Sequence, residues 1–103
     1  MGLFGSIEGF EWDEGNQDKN WVKHRVTRIE SEQVFFDPER VLYRDAEHSE
    51  NEHRYTAIGK TSTKRLLYVT FTVRVTKIRV ISARDSHKKE KTLYEKATKS
   101  SSI

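Results

Sequence analysis

The apolar residues follow two periods, one on each side of Pro38. Upstream, a short strand is expected at Ile7 to Trp12, where Phe10 and Trp12 share one face by the two-residue period of extended chain. Asp13 then reads as a helix N-cap, and the polar stretch to His24 reads as a helix anchored by Trp21 and Val22. A second helix starts at Val26-Thr27-Arg28-Ile29-Glu30, because Thr27 and Glu30 have capping-box spacing, each able to bond the other's free backbone N–H. Ile29, Gln33 and Phe36 fall on one stripe of it. Asp37-Pro38 ends it, since proline disfavours helical geometry in the residue before it.

Downstream, β-branched and aromatic residues take over the apolar positions, and four strands are predicted at Val41 to Asp45, Arg54 to Gly59, Arg65 to Val73 and Lys77 to Ala83. The short links between the last three favour an antiparallel meander. Ser86 to about Lys99 reads as a helix, with Leu93 and Ala97 four apart and Glu90 and Tyr94 in a neighbouring row. The expected fold class is α+β: an antiparallel sheet of about four strands, two N-terminal helices and one C-terminal helix. One domain spans residues 1–99, and 100–103 form a frayed tail. No internal repeat is visible.

Composition narrows the setting. The 103 residues are 34% apolar with a mean hydropathy of -0.85, enough for one modest core. No stretch approaches the roughly 18 apolar residues of a transmembrane helix, and no basic-then-apolar leader opens the chain. A cytoplasmic protein without a membrane is therefore expected. Cysteine is absent, which excludes disulfides and thiolate zinc sites. Charge is divided: residues 1–53 hold 6 Lys/Arg against 13 Asp/Glu, a balance of -7, whereas residues 54–103 hold 13 against 3, a balance of +10. The basic half is a candidate polyanion surface, because a concentrated positive field draws in phosphates and releases their counterions. Solvated sheet and helix faces are the plainer reading of the same charges.

The strand Ile78-Arg79-Val80-Ile81-Ser82-Ala83-Arg84 carries two guanidiniums in a half-apolar segment. A guanidinium is a rigid fork of donors matched to phosphate oxygens, and it keeps its charge near neutral pH. Arg79 and Arg84 are therefore candidate phosphodiester ligands. Parity sends them to opposite faces unless the strand ends or bulges at Ala83. The structural alternative is pairing with Asp85 or Glu90, or a place on an open sheet face. Between Asp45 and Arg54 the chain gathers His48, His53 and four carboxylates. His48 can move protons near neutral pH, and Glu52 can accept one or orient a base. A metal is the rival reading, but the spacing matches no zinc signature, so no metal and no cofactor are expected. Lys23-His24 closes the first helix, where cations favour the negative end of the helix dipole. In the functional reading Lys23 contacts phosphate and His24 shuttles a proton. Trp12 and Trp21 read as core anchors rather than base-stacking platforms. Gly-rich nucleotide loops, Gly-x-Ser-x-Gly elbows and His-Glu-x-x-His motifs are missing.

In order along the chain come Phe10-Glu11-Trp12-Asp13, Asn20 with Lys23-His24, Val34-Phe35 with Asp37-Pro38, Asp45 with His48-Ser49-Glu50, and Glu52 with Arg54. Ile58-Gly59, Arg74, the Ile78 to Arg84 block, and Glu90 with Tyr94 complete the series. From about Phe10 to Glu95 this set resembles the BrnT family, the toxin half of a bacterial type II toxin-antitoxin pair. The sequence departs from the family pattern at Arg25, which replaces a glycine, at Arg28, which replaces an aromatic, and at His87, which replaces a capping threonine. The N-terminal Met1-Gly2-Leu3-Phe4-Gly5-Ser6 fits a permissive myristoylation template. That modification is not expected in the bacteria to which the resemblance points.

The resemblance implies a RelE-like domain that cleaves RNA without a metal and halts translation. The implied partner is a BrnA-like ribbon-helix-helix antitoxin, bound as a heterotetramer and linking the toxin to operator DNA only indirectly. In such a reaction the RNA 2′-hydroxyl attacks the adjacent phosphate. Arg79 and Arg84 would meet the developing charge, with Lys23, Arg54 and Arg74 holding the backbone. His48 or Glu52 would be the base, and His24 the acid. The alternative, motivated by Arg25, Arg28 and His87, is a non-catalytic member that acts as a protein partner or corepressor.

Overall fold

Leu67, Val69 and Phe71 alternate with Tyr68, Thr70 and Thr72, and that alternation places a sheet at the centre of the molecule, with one face apolar and the other rich in hydroxyls. In a computed structural model the described residues are 7–12, 14–45 and 53–101. Met1-Gly2-Leu3-Phe4-Gly5-Ser6, Asp13, and residues 46–52 with His48 and Glu52 lie outside them. The elements in chain order are β1 (Gly9–Glu11), α1 (Glu14–His24), α2 (Arg28–Val34), β2 (Val41–Asp45), β3 (Arg54–Lys60), β4 (Leu66–Arg74), β5 (Lys77–Asp85) and α3 (Lys88–Ser101).

The sheet has five strands in the order β1-β5-β4-β3-β2, and this corrects the expectation of four antiparallel strands. The meander from β2 to β5 is antiparallel as predicted, but β1 joins the far edge parallel to β5, matching Phe10 to Ile78 and Glu11 to Arg79. A mixed sheet results. Parallel addition of a three-residue strand depends on a contact between distant parts of the chain, which local periodicity does not carry.

One face of the sheet holds the main core. Val26 and Val34 pack on Ala57, Leu67, Val69, Phe71, Ile78, Val80 and Ala83, all buried. Phe35 meets Phe71 edge-on at 4.9 Å between ring centres, and Phe10 meets Phe35 at 5.4 Å. Burying each large apolar side chain of this kind contributes about 1.5–3 kcal/mol. Gly59 marks the closest approach of α2 to β3: a Cβ there would stand 2.9 Å from the Val34 carbonyl oxygen.

The helices present different faces from those expected. The Thr27–Glu30 capping box is formed as predicted, yet the buried side of α2 is Ser31 and Val34, while Ile29 and Phe36 are exposed. In α1 the expected anchors Trp21 and Val22 are 46% and 73% exposed, whereas Asn20 is buried. The reason lies at the edge of β5. The pairing of β1 stops at Arg79, and beyond it Asn20 Oδ1 accepts the backbone N–H of Ala83 at 3.1 Å. A buried N–H without such an acceptor would be costly, so α1 presents an amide to the sheet edge rather than an indole. Among the described residues no helix is long and apolar enough to cross a membrane.

Candidate nucleic-acid interface

The face of the sheet opposite α1 and α2 carries four arginines, Arg54, Arg74, Arg79 and Arg84. Strand pairing runs Thr70 to Ser82 and then Phe71 to Val80, so Ile81 is the extra residue of a β-bulge. Parity is reset there: Ile78, Val80 and Ala83 are all buried in the core, and Arg79 and Arg84 both project from the other face. The expected conflict between the two is thereby removed, with the bulge at Ile81 rather than at Ala83.

Register extends the arrangement across the sheet. Asp45 is opposite Arg54, Thr72 is opposite Arg79, and Arg79 is opposite Glu11. Tyr55 pairs with Phe71, which puts Arg54 beside Thr72, where Thr72 Oγ1 donates to the His53 carbonyl at 2.8 Å. One row on this face therefore reads Asp45, Arg54, Thr72, Arg79, Glu11. Strands are spaced about 4.8 Å apart, so the Arg54 and Arg79 backbones lie roughly 10 Å from each other. Arg74, opposite Lys77, adds the next row of the same face.

At the other end of this face α3 lies over β2 and β3, with the Lys60 ammonium over the ring of buried Tyr94. Tyr94 donates its hydroxyl proton to Asp37 Oδ2 at 2.6 Å, and the same oxygen accepts the Lys60 N–H at 2.8 Å. Burial raises the Asp37 pKa, but these bonds and the Glu39 N–H together hold it below the ordinary carboxylate value. Burial and the same contact push the Tyr94 hydroxyl up. Asp37 thus ties the end of α2, β3 and α3 together.

Arg84 stands where α3 meets the open face. Its Nη1 and Nη2 donate to Glu90 Oε1 and Oε2 at 2.9 and 2.8 Å, and its guanidinium carbon lies 4.1 Å from the Tyr68 ring centre. Glu90 Oε1 also accepts the His87 N–H at 2.7 Å. That bond is half of a capping box; the half that a threonine hydroxyl would supply has no counterpart in the His87 side chain. Burial alone raises the Glu90 pKa, but Arg84 and the His87 amide outweigh it and hold the carboxyl below its usual range. Tyr43 occupies the adjoining row, and burial together with Tyr68 pushes its hydroxyl up to about 12.

The remaining predicted site residues are elsewhere. Lys23 and His24 lie in the last turn of α1, and His24 lies near Asp85, on the side of β5 opposite the Arg84 side chain. The structure therefore brings Arg54, Arg74, Arg79 and Arg84 to one face and leaves Lys23 and His24 off it. His48 and Glu52 fall outside the described residues, between Asp45 and Arg54 in sequence. Among the described residues no group of three or more His, Asp or Glu side chains could hold a metal ion.

Sequence reasoning missed Arg65. Its Nε and Nη2 donate to Asp85 Oδ1 and Oδ2 at 2.7 and 3.0 Å, Nη1 to the Arg25 carbonyl at 2.8 Å and to Glu30, and Nη2 to the His24 carbonyl at 3.1 Å. One guanidinium therefore closes the C-terminal end of α1, the start of α2 and the end of β5. No local motif announces this, because its partners are 20 to 41 residues away.

The fold and this face define a small α+β domain with a mixed five-stranded sheet, α1 and α2 covering one side and arginines rising beside α3 from the other. A family model described as the ribonuclease toxin BrnT of type II toxin-antitoxin systems matches residues 12–90, and the chain belongs to that family. Such systems pair a toxin with an antitoxin partner. The fold is similar to the crystal structure of the ribonuclease toxin BrnT from Brucella abortus, with a TM-score of 0.63 and 20% identity over 80% of this chain and 100% of that one. No curated protein sequence matches the chain.

Proposed function

We propose that the chain is a metal-independent endoribonuclease that inhibits translation and growth, with the arginine-bearing sheet face as its RNA site. The observation that carries this reading is the bulge at Ile81, which turns Arg79 and Arg84 to the same face as Arg54 and Arg74. Attack of the 2′-hydroxyl on the neighbouring phosphorus builds negative charge on the phosphoryl oxygens. Fixed guanidiniums aimed at that charge stabilise the transition state more than the ground state. Arg79 and Arg84 take this role, while Arg54 and Arg74 hold the flanking phosphates. His48 and Glu52, within a few residues of Asp45 and Arg54 in sequence, supply proton transfer. His24 and Lys23, away from this face, are given their helix-terminus role instead. The partner is a BrnA-like ribbon-helix-helix antitoxin that neutralises the toxin in a heterotetramer and bridges it to operator DNA.

The departures at Arg25 and Arg28 lie on the α1 and α2 side of the sheet, away from the arginine row; the third, His87, adjoins the Arg84–Glu90 pair but meets it through its backbone N–H, which any non-proline residue there supplies. The test is incubation of purified protein with RNA in EDTA, alongside induction in growing cells. Cleavage that survives chelation, with arrest relieved by co-expressed antitoxin, is expected. Intact RNA and undisturbed growth would leave only a binding module.

A further inference from the structure

Arg84 has five N–H donors, and the structure shows how they are divided. Its outer end, Nη1 and Nη2, is closed on Glu90 by two near-parallel bonds of 2.9 and 2.8 Å, and Nη1 also donates to the Asp85 carbonyl at 3.1 Å. Its flat face rests on Tyr68. Among the described residues no hydrogen bond engages Nε, and the Arg84 side chain is 26% exposed. The side edge of the guanidinium, formed by Nε–H and the second Nη2–H, is thus an unengaged two-donor fork. Arg65 uses the same edge to chelate Asp85, which shows the geometry that such an edge favours.

We propose that Glu90 is a positioning residue which, with Tyr68, fixes Arg84 so that its Nε/Nη2 edge receives two oxygens of one phosphodiester. This rests on the ribonuclease reading of the same face. Glu90 is well placed for the task. It is residue N3 of α3, and the His87 amide anchors its Oε1 independently of Arg84, so the carboxylate is held in place before RNA arrives. An arginine held at its end and its face loses little freedom when it binds, which is the advantage of preorganisation. The opposite role, a carboxylate that competes with phosphate for Arg84, predicts the reverse response to neutralising Glu90, and this separates the two.

Glu90→Gln keeps an acceptor for the His87 amide and therefore the helix cap, but gives up one of the two oxygens facing Arg84. Arg84→Lys keeps the charge and removes the fork. Wild type, Glu90→Gln, Arg84→Lys and Arg84→Ala are compared for single-turnover RNA cleavage. Binding is measured on a fully 2′-O-methyl oligonucleotide, which cannot react. Arg84→Lys should lose cleavage about 100-fold, close to Arg84→Ala. Glu90→Gln should lose about 10-fold in rate while remaining folded with a modestly lower melting temperature, although the loss of its negative charge would by itself tighten binding. In NMR spectra the Arg84 Nε–H resonance should shift on adding the oligonucleotide to wild type and shift much less in Glu90→Gln. Faster cleavage and tighter binding by Glu90→Gln, or an Nε–H signal indifferent to the oligonucleotide, would overturn the proposal. If wild type fails to cleave, the ribonuclease reading fails alone, and the Nε–H shift still decides whether the fork binds phosphate.

Discussion

Arg65, just before β4, chelates Asp85 at the end of β5 through two hydrogen bonds of 2.7 and 3.0 Å, and its remaining donors reach the carbonyls of His24 and Arg25. Those carbonyls close α1 and would otherwise lack intrahelical partners. Arg65→Ala should therefore destabilise the fold by about 2 kcal/mol, the figure being kept low because Asp85 is well exposed. Arg65→Lys should recover less than half, since an ammonium cannot reproduce the fork. Urea unfolding followed by circular dichroism measures both.

Arg25 ends α1 with φ of 55°, a left-handed conformation, and its N–H donates to the Trp21 carbonyl at 2.9 Å. The chain has kept the backbone of a glycine cap with an arginine in place. A non-glycine residue in this region carries a cost of about 1 kcal/mol or more. The Arg25 guanidinium over Trp21 offsets part of it. Arg25→Gly should stabilise the protein by up to about 1 kcal/mol, seen as a higher urea midpoint at unchanged slope.

Gly59 has no room for a methyl group, because both the nearest atoms, the Val34 carbonyl oxygen at 2.9 Å and Val34 Cγ1 at 3.0 Å, belong to packed α2. Gly59→Ala should lower stability by about 1–3 kcal/mol through overpacking. Thermal unfolding provides the readout, with Gly9→Ala unsuitable as a control because its φ of 157° is itself unfavourable for alanine.

Asp37, Asp85, Glu30 and Glu90 all have pKa values below their ordinary 3.8 or 4.5 in the folded chain. The unfolded chain restores the ordinary values, so in the acid range it binds more protons than the fold does. Their stabilisation is complete at neutral pH and is lost as pH falls below about 4.5 through the folded values. Denaturant midpoints measured from pH 7 to pH 3 should fall, and the drop should shrink in Asp37→Asn.

Much of this architecture is written locally. The Thr27–Glu30 box sets the start of α2, and β2 to β5 end within two residues of where alternation places them. What escaped depends on partners distant in sequence. Asn20 lies in a polar stretch with no local sign of burial, and only the unpaired edge of β5 makes it a buried acceptor. Parity counted along Ile78 to Arg84 separates the two arginines, and only pairing with β4 reveals the extra residue at Ile81 that reunites them. Glu90 was legible as one of two candidate partners, with Asp85, for the arginines of β5 because both are near in sequence, whereas Arg65 had no local signal at all.

RNA is expected to touch the arginine-bearing side of the sheet and not the side covered by α1 and α2. Arg54→Ala and Arg79→Ala remove charge from the open face; Lys19→Ala and exposed Arg28→Ala remove the same charge from α1 and α2. Single-turnover cleavage of one labelled RNA by the four folded variants is the direct comparison. Losses of about 100-fold for the open-face pair, with the helical pair within about threefold of wild type, are predicted. Equal losses in all four, or none in Arg79→Ala, would contradict the assignment.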